Sequence, residues 1–167
     1  MRHNLLVVGW ASTLICVAVI APQASAQGTA TPDERAQWVE TTRKLESAPL
    51  DDSLNKQGDA ALERVEDVHD VHVPLCAPLL NELNAMKYTY SHTITRQYML
   101  ASAAFVIENR DKAADSNAMN ESALESVVKT YQAILQQKPD ARSKTLDDLL
   151  KKQSQGKLKE YIQTKRH

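Results

Sequence analysis

The stretch "SHTITRQYMLASAAFVIE", Ser91 to Glu108, carries the apolar seam that decides the fold. Within it, Ile94, Tyr98, Ala101 and Phe105 follow one another at spacings of four, three and four residues. Side chains three and four positions apart lie on the same face of an α-helix. Such a seam is stable when a second helix covers it, so this stretch predicts helix-on-helix packing.

The rest of the chain has the composition of the same class. It contains only 4 glycines and 6 prolines among 167 residues, and it is rich in Ala, Leu, Glu, Lys and Gln, which favour helices. The sequence shows no alternation of apolar and polar residues typical of strands, and no hairpin dipeptide. We therefore expect an all-α protein with one domain of about six or seven antiparallel helices.

Local signals predict where most of these helices begin and end. The segment 31–34, Thr-Pro-Asp-Glu, has the order of a helix start, with a cap, a proline and an acid that reaches back to the cap. Pro49 ends this first helix. The polar segment 108–122 is expected to be a loop. Later helices are expected at about Leu75 or Pro78 to Met86, from a Ser91 cap onward, and over Ala118–Gln137, Ser143–Gln153 and Lys157–Thr164.

The second helix has a capped start and an expected end. Asp51 and Asp52 are suited to cap it. We expect it to end near His72, because Pro74 disfavours helical backbone at the residue before it. Gly58, inside this helix, indicates either a weak point or a site of close packing.

The N-terminus has the layout of an export signal. Arg2 is followed by an apolar run from Leu5 to Ile20, by Pro22 and by the small residues Ala24-Ser25-Ala26. The apolar run is shorter than the about 20 apolar residues that a membrane span needs. We therefore expect the signal to be cleaved and to leave no stable membrane span. These features predict an exported protein, periplasmic or secreted, with a signal peptide at 1–26, a flexible segment at 27–31 and a single helical domain at 32–167.

The stretch "VHDVHVPLC", residues 68–76, contains the strongest candidates for metal ligands. His69 and His72 are three residues apart, which on a helix places both imidazoles on one face. Cys76 follows at the start of the next helix, and His92 or Asp70 is the candidate fourth ligand at a helix–helix corner. The alternative is structural: His72 is partly buried, His69 lies on a solvated acidic face, and Cys76 is a buried apolar side chain, a free thiol or half of an intermolecular bridge.

Tyr88 and Tyr90 form a second candidate site, a binding surface in the segment "KYTYSH". Exposed tyrosines give a large contact area at a low cost in conformational entropy. If the two rings are buried, they are packing residues, and the sequence leaves both alternatives open.

The stretch "YQAILQQKPDA", residues 131–141, resembles the close of a tetratricopeptide repeat, where a packed helix ends just before a proline. With "AAFVIEN" at 103–109, the chain also resembles uncharacterised exported bacterial helical proteins. The repeat resemblance implies helix pairs stacked into a surface that binds proteins or peptides.

The sequence contains no motif for nucleophilic catalysis, phosphate binding or haem attachment. Its formal net charge of −1 disfavours a nucleic-acid partner. We therefore expect a non-enzymatic interaction module that requires no cofactor and binds a protein or peptide. The alternatives are a metal-binding protein or metal-dependent enzyme using His69, His72 and Cys76, and a periplasmic immunity or inhibitor protein. The partner and the oligomeric state are open at this point.

Overall fold

The computed structural model describes residues 28–165 and shows an all-α fold there, so the predicted fold class is confirmed. These residues form seven α-helices and a short 3-10 helix, Arg110–Lys112, with no strand among them. The predicted signal peptide at 1–26 lies outside the described residues. The α-helices are α1 (Pro32–Ser47), α2 (Asp52–Asp67), α3 (Ala77–Asn84), α4 (Ser91–Glu108), α5 (Ser116–Gln137), α6 (Lys144–Ser154) and α7 (Leu158–Thr164).

The first two helices begin with the predicted caps. The Thr31 hydroxyl accepts a hydrogen bond from the Glu34 N–H at 3.2 Å, while the Glu34 carboxylate accepts one from the Thr31 N–H at 2.7 Å. The Asp51 carboxylate accepts from the Leu54 N–H at 2.8 Å. Each cap satisfies an N–H group that the first turn of a helix leaves free, which stabilises the helix by about 1 kcal/mol.

Helix α4 lies at the centre of the fold and packs against α1, α2, α3 and α5. Three of its four seam residues, Ile94, Tyr98 and Ala101, are buried, and Phe105 is partly buried. The seam therefore faces other helices, as the spacing predicted. Although α4 is largely apolar, no helix between residues 28 and 165 combines the length and apolarity needed to cross a membrane.

A buried polar network joins α4 to two neighbouring helices. The Gln97 side-chain amide donates to the Thr42 carbonyl oxygen at 3.1 Å and to the Ser126 hydroxyl at 2.8 Å. All three residues are buried, so the hydrogen bonds replace those that the groups make with water in the unfolded chain. The network fixes how α1, α4 and α5 sit against one another.

Gly58 is a site of close packing. A Cβ atom at this position would lie 2.8 Å from Leu45 Cδ1 and 3.2 Å from Arg96 Nε, too close for a side chain. The space goes to Arg96, which is buried and donates to the Asn55 carbonyl oxygen and to the Asp59 carboxylate at 2.8 Å. Of the two interpretations left open by the sequence, the close approach of α2 to α4 and α1 is the one observed.

Two predicted helix starts, those of α5 and α4, are wrong. Helix α5 begins at Ser116, because the Asp115 carboxylate accepts hydrogen bonds from two N–H groups in its first turn. The loop is therefore shorter than expected. Ser91 is the first residue of α4, and the cap position belongs to Tyr90, which makes no side-chain capping bond.

Candidate functional site

The connection from α2 to α3, residues 68–76, is not helical and bends at His69 and Asp70; we call it the linker. Helix α2 ends at Asp67, so the expectation that it continues to about His72 is wrong. Val68 has φ −89° and ψ 144° and is buried, as is Val71. The two valines pack into the apolar cluster between α1, α2 and α4, and their burial anchors the linker against these helices.

The start of the linker is held by the segment that precedes α1. The His69 N–H donates to the Gly28 carbonyl oxygen at 2.8 Å, and the Ala30 N–H donates to the Asp70 carboxylate at 3.0 Å. Arg35 forms an ion pair with the same carboxylate. The hydrogen bond from Ala30 and the charge of Arg35 hold the pKa of Asp70 below its ordinary value.

The middle of the linker has open backbone groups. Within the described part of the chain, no group accepts a hydrogen bond from the N–H of Val71, His72 or Val73, and none donates to the carbonyl oxygen of Val71 or His72. The next backbone bond runs from the Leu75 N–H to the Val73 carbonyl oxygen at 2.9 Å. Open backbone groups outside helices and strands are where an extended chain can form main-chain hydrogen bonds.

An apolar groove of about 270 Å³ lies beside the linker. Its walls are formed by the C-terminal half of α2, by the linker and by Met99 of α4. Glu66 and His72 are the polar lining residues, and the apolar lining residues are Leu62, Val65, Val68, Val71, Val73, Leu75 and Met99. An apolar groove next to open backbone offers both parts of a peptide-binding site: a pocket for a side chain and hydrogen bonds for a main chain.

The end of α2 at this groove carries uncompensated negative charge. Glu63, Glu66 and Asp67 are exposed, and none of them forms an ion pair with another described residue. The nearby cation, Arg64, is already engaged by Glu34 at 3.1 Å. The C-terminal end of a helix is its negative end. Three acids at this end therefore make the local electrostatic potential more negative, whereas basic residues would offset it.

The structure does not bring the predicted metal ligands together. Within residues 28–165, no group of three His, Cys, Asp or Glu side chains is placed to hold a metal ion. His69 and His72 are exposed and lie on the non-helical linker, so they do not share the face of a helix. His92 is exposed in the first turn of α4. Cys76 is a free, partly exposed thiol at the cap position of α3, and the expectation that His72 is partly buried is wrong.

Tyr88 and Tyr90 lie in the connection between α3 and α4. The Tyr88 hydroxyl donates to the Ala141 carbonyl oxygen at 3.1 Å. Its ring meets those of Tyr90 and Tyr131 edge to face, with centroids 5.6 and 6.2 Å apart, and burial raises the pKa of Tyr88. These contacts are those of packing, the second of the two alternatives drawn from the sequence.

The apolar groove was not anticipated from the sequence, because Leu62 and Met99 belong to different helices. One signal did exist: three acids within the last five residues of α2, where basic residues are usual. Comparison with family models, curated proteins and solved structures gave no match. The site is therefore interpreted from its own geometry.

Proposed function

We propose that this protein is exported and acts by binding another protein or a peptide at the linker and the apolar groove, without catalysing a reaction. The observation that carries this proposal is the coincidence of open backbone groups at 71–73 with an apolar groove beside them. Main-chain hydrogen bonds to the linker give a peptide affinity that does not depend on its sequence, and a side chain in the groove adds specificity.

The location of the surface supports the same proposal. The start of the linker is fixed by the bonds of His69 and Asp70 to the segment before α1, and Val68 and Val71 are anchored in the core. The binding groups are therefore held in place before a partner arrives, which lowers the entropic cost of binding. The export half of the proposal is supported by the layout of residues 1–26.

A selection from a displayed library of random eight-residue peptides tests this function. We expect binders whose affinity falls at least tenfold when Leu62→Lys fills the groove with a charged side chain. The matched control is Leu135→Lys, which changes a partly buried leucine of α5 that does not line the groove. Circular dichroism verifies that both variants are folded.

The result that would contradict the proposal is equally specific. Selected peptides that bind wild type and Leu62→Lys alike would place the binding surface elsewhere. A selection that yields no binder to the wild-type protein would remove the peptide-binding function itself.

A further inference from the structure

Helix α2 ends differently from the other helices of the described chain. In α1, α3, α4, α5, α6 and α7, the N–H of the residue after the helix donates back to a carbonyl oxygen of the last turns. Val68, which follows α2, makes no such bond, and the next N–H, that of His69, donates to Gly28 instead. The last carbonyl groups of α2 therefore have no backbone donor within residues 28–165.

These open carbonyl groups lie at the same end of α2 as the three unpaired acids. Glu66 lines the apolar groove, and Glu63 and Asp67 lie three residues before it and one after it on α2. The nearest cations line a separate depression that shares Val71 and His72 with the groove; they are Arg35 and Arg110, and Arg35 is held by Asp70. The apolar groove is thus bordered by acceptors and negative charge, with His72 as its one titratable base.

From this arrangement we infer the chemistry of the partner: an extended peptide segment that carries a lysine or arginine next to an apolar side chain. This inference rests on the proposed function and specifies its partner. The apolar side chain fills the groove beside Met99 and Val73, while the cation meets Glu66 and the open carbonyl groups at the end of α2. A cation there supplies the donors and the positive charge that this helix end lacks.

An extended partner fits the surface better than a helical one. A helix binds through anchors spread over two turns, at i, i+3 or i+4 and i+7, which requires a long groove. The apolar groove measures about 270 Å³ and holds few side chains. A helix also brings no free N–H or carbonyl groups to the backbone of Val71, His72 and Val73, whereas an extended chain does.

Two displayed libraries test the inference, each with eight random residues and the same apolar content. In one, Lys and Arg are the only charged residues; in the other, Asp and Glu are. We expect enrichment at least tenfold higher from the basic library, with Lys or Arg adjacent to an apolar residue in the selected peptides. Equal enrichment from the acidic library, lost on Leu62→Lys, would overturn the inference and leave the proposed function standing.

A synthetic peptide from the basic library then separates the roles of charge and backbone. The double variant Glu63→Gln/Glu66→Gln is expected to weaken its binding about three- to tenfold at low salt, with a smaller loss at high salt. Glu125→Gln, an exposed acid in the middle of α5, is the control and leaves binding unchanged. A loss in Glu125→Gln as large per removed charge as in the double variant would mean that only net charge matters and would overturn the inference.

Methylation of the peptide's own backbone nitrogens tests the extended geometry without changing the protein. Methyl groups on every second nitrogen along one edge are expected to weaken binding at least tenfold, and methyl groups on the other edge to have little effect. Equal sensitivity of both edges would overturn extended pairing. Light scattering of the free protein gives a further check: a dimer that Leu62→Lys dissociates would mean that a second copy occupies the groove.

Discussion

Two connections in this fold each contain a proline but differ in whether their backbone N–H groups are hydrogen-bonded. In residues 138–143, the corner between α5 and α6, the N–H groups of Lys138 and Ala141 donate to backbone carbonyl oxygens at 2.7 and 3.0 Å. In the linker, the N–H groups of residues 71–73 have no acceptor within the described chain. Pro139 and Pro74 both disfavour helix in the residue before them, so the proline alone does not decide whether a corner is closed.

Polar side chains close the 138–143 corner. The Tyr88 hydroxyl donates to the Ala141 carbonyl oxygen, and the Tyr131 hydroxyl accepts from the Ser143 N–H at 3.0 Å. Val71 and Val73 occupy the corresponding region of the linker and have no side-chain donor or acceptor. The backbone groups of the linker are therefore open because the side chains beside them are apolar and offer no hydrogen-bond donor or acceptor.

The largest expected difference between the two regions concerns core packing. Leu146, in α6 next to the closed corner, is fully buried, whereas Leu75 in the linker is partly exposed. Leu146→Ala is expected to lower the free energy of unfolding by about 2–5 kcal/mol, and Leu75→Ala by about 1 kcal/mol, because less apolar surface is lost from the interior. Urea unfolding of both variants measures the difference. Equal losses would mean that the linker belongs to the core as much as α6 does.

The next effect concerns the hydroxyl groups that close the corner. Tyr131 is fully buried, and its hydroxyl donates to the Asp147 carboxylate at 2.8 Å in addition to its bond with Ser143. Tyr131→Phe leaves the Ser143 N–H without its acceptor and removes one donor from Asp147, which keeps its bonds from Arg142, so we expect a loss of about 1–3 kcal/mol in the free energy of unfolding. The matched control is Tyr90→Phe, since the Tyr90 hydroxyl makes no hydrogen bond within residues 28–165; its effect should stay within about 0.5 kcal/mol.

The pH dependence of unfolding checks the same corner from the alkaline side. Burial raises the pKa of Tyr131 above its ordinary value, so the folded state keeps a proton that the unfolded state loses above about pH 10. The stability linked to this proton is complete below pH 10 and declines as the pH rises toward the pKa in the folded protein. Tyr131→Phe should therefore make the alkaline decline shallower than in the wild-type protein, whereas an unchanged slope would contradict the buried position of its hydroxyl.

Local signals were sufficient for the helical class and for several helix starts. The Thr31 cap, the Asp51 cap and the seam of α4 each involve residues within a few positions of one another. The end of α2 was not predictable in this way, because no proline or glycine stands directly after Asp67. After Asp67 the chain is held by bonds of His69 and Asp70 to the distant segment before α1, which is a tertiary effect.

The wrong end of α2 also explains why the predicted metal site of His69, His72 and Cys76 is not formed. On a helix, His69 and His72 would share a face, but α2 ends before both of them. One wrong boundary therefore changes the meaning of the spacing. The groove has no sequence signature of its own, since Leu62 on α2 and Met99 on α4 come together only through packing.

The smallest expected effect is a gain in stability at the proposed binding site. Glu66 lies in the last turn of α2 without an ion pair in the described chain, and a negative charge at this end of a helix is unfavourable. Glu66→Gln is therefore expected to raise the free energy of unfolding by about 0.3–1 kcal/mol at low salt. The control Glu125→Gln, in the middle of α5, should change it by less than about 0.3 kcal/mol, because the field of the helix ends does not reach that far.

The sign of the Glu66→Gln effect separates two roles for this carboxylate. A residue that serves only the fold loses stability when it is changed, whereas a residue that awaits a positive partner gains stability alone and loses affinity in the complex. Chemical unfolding in low salt, repeated with and without a basic peptide from the selection, measures both quantities on one sample. A loss of stability in the free variant would show that Glu66 supports the helix end, and the contrast between the open linker and the closed corner would then lose its functional meaning.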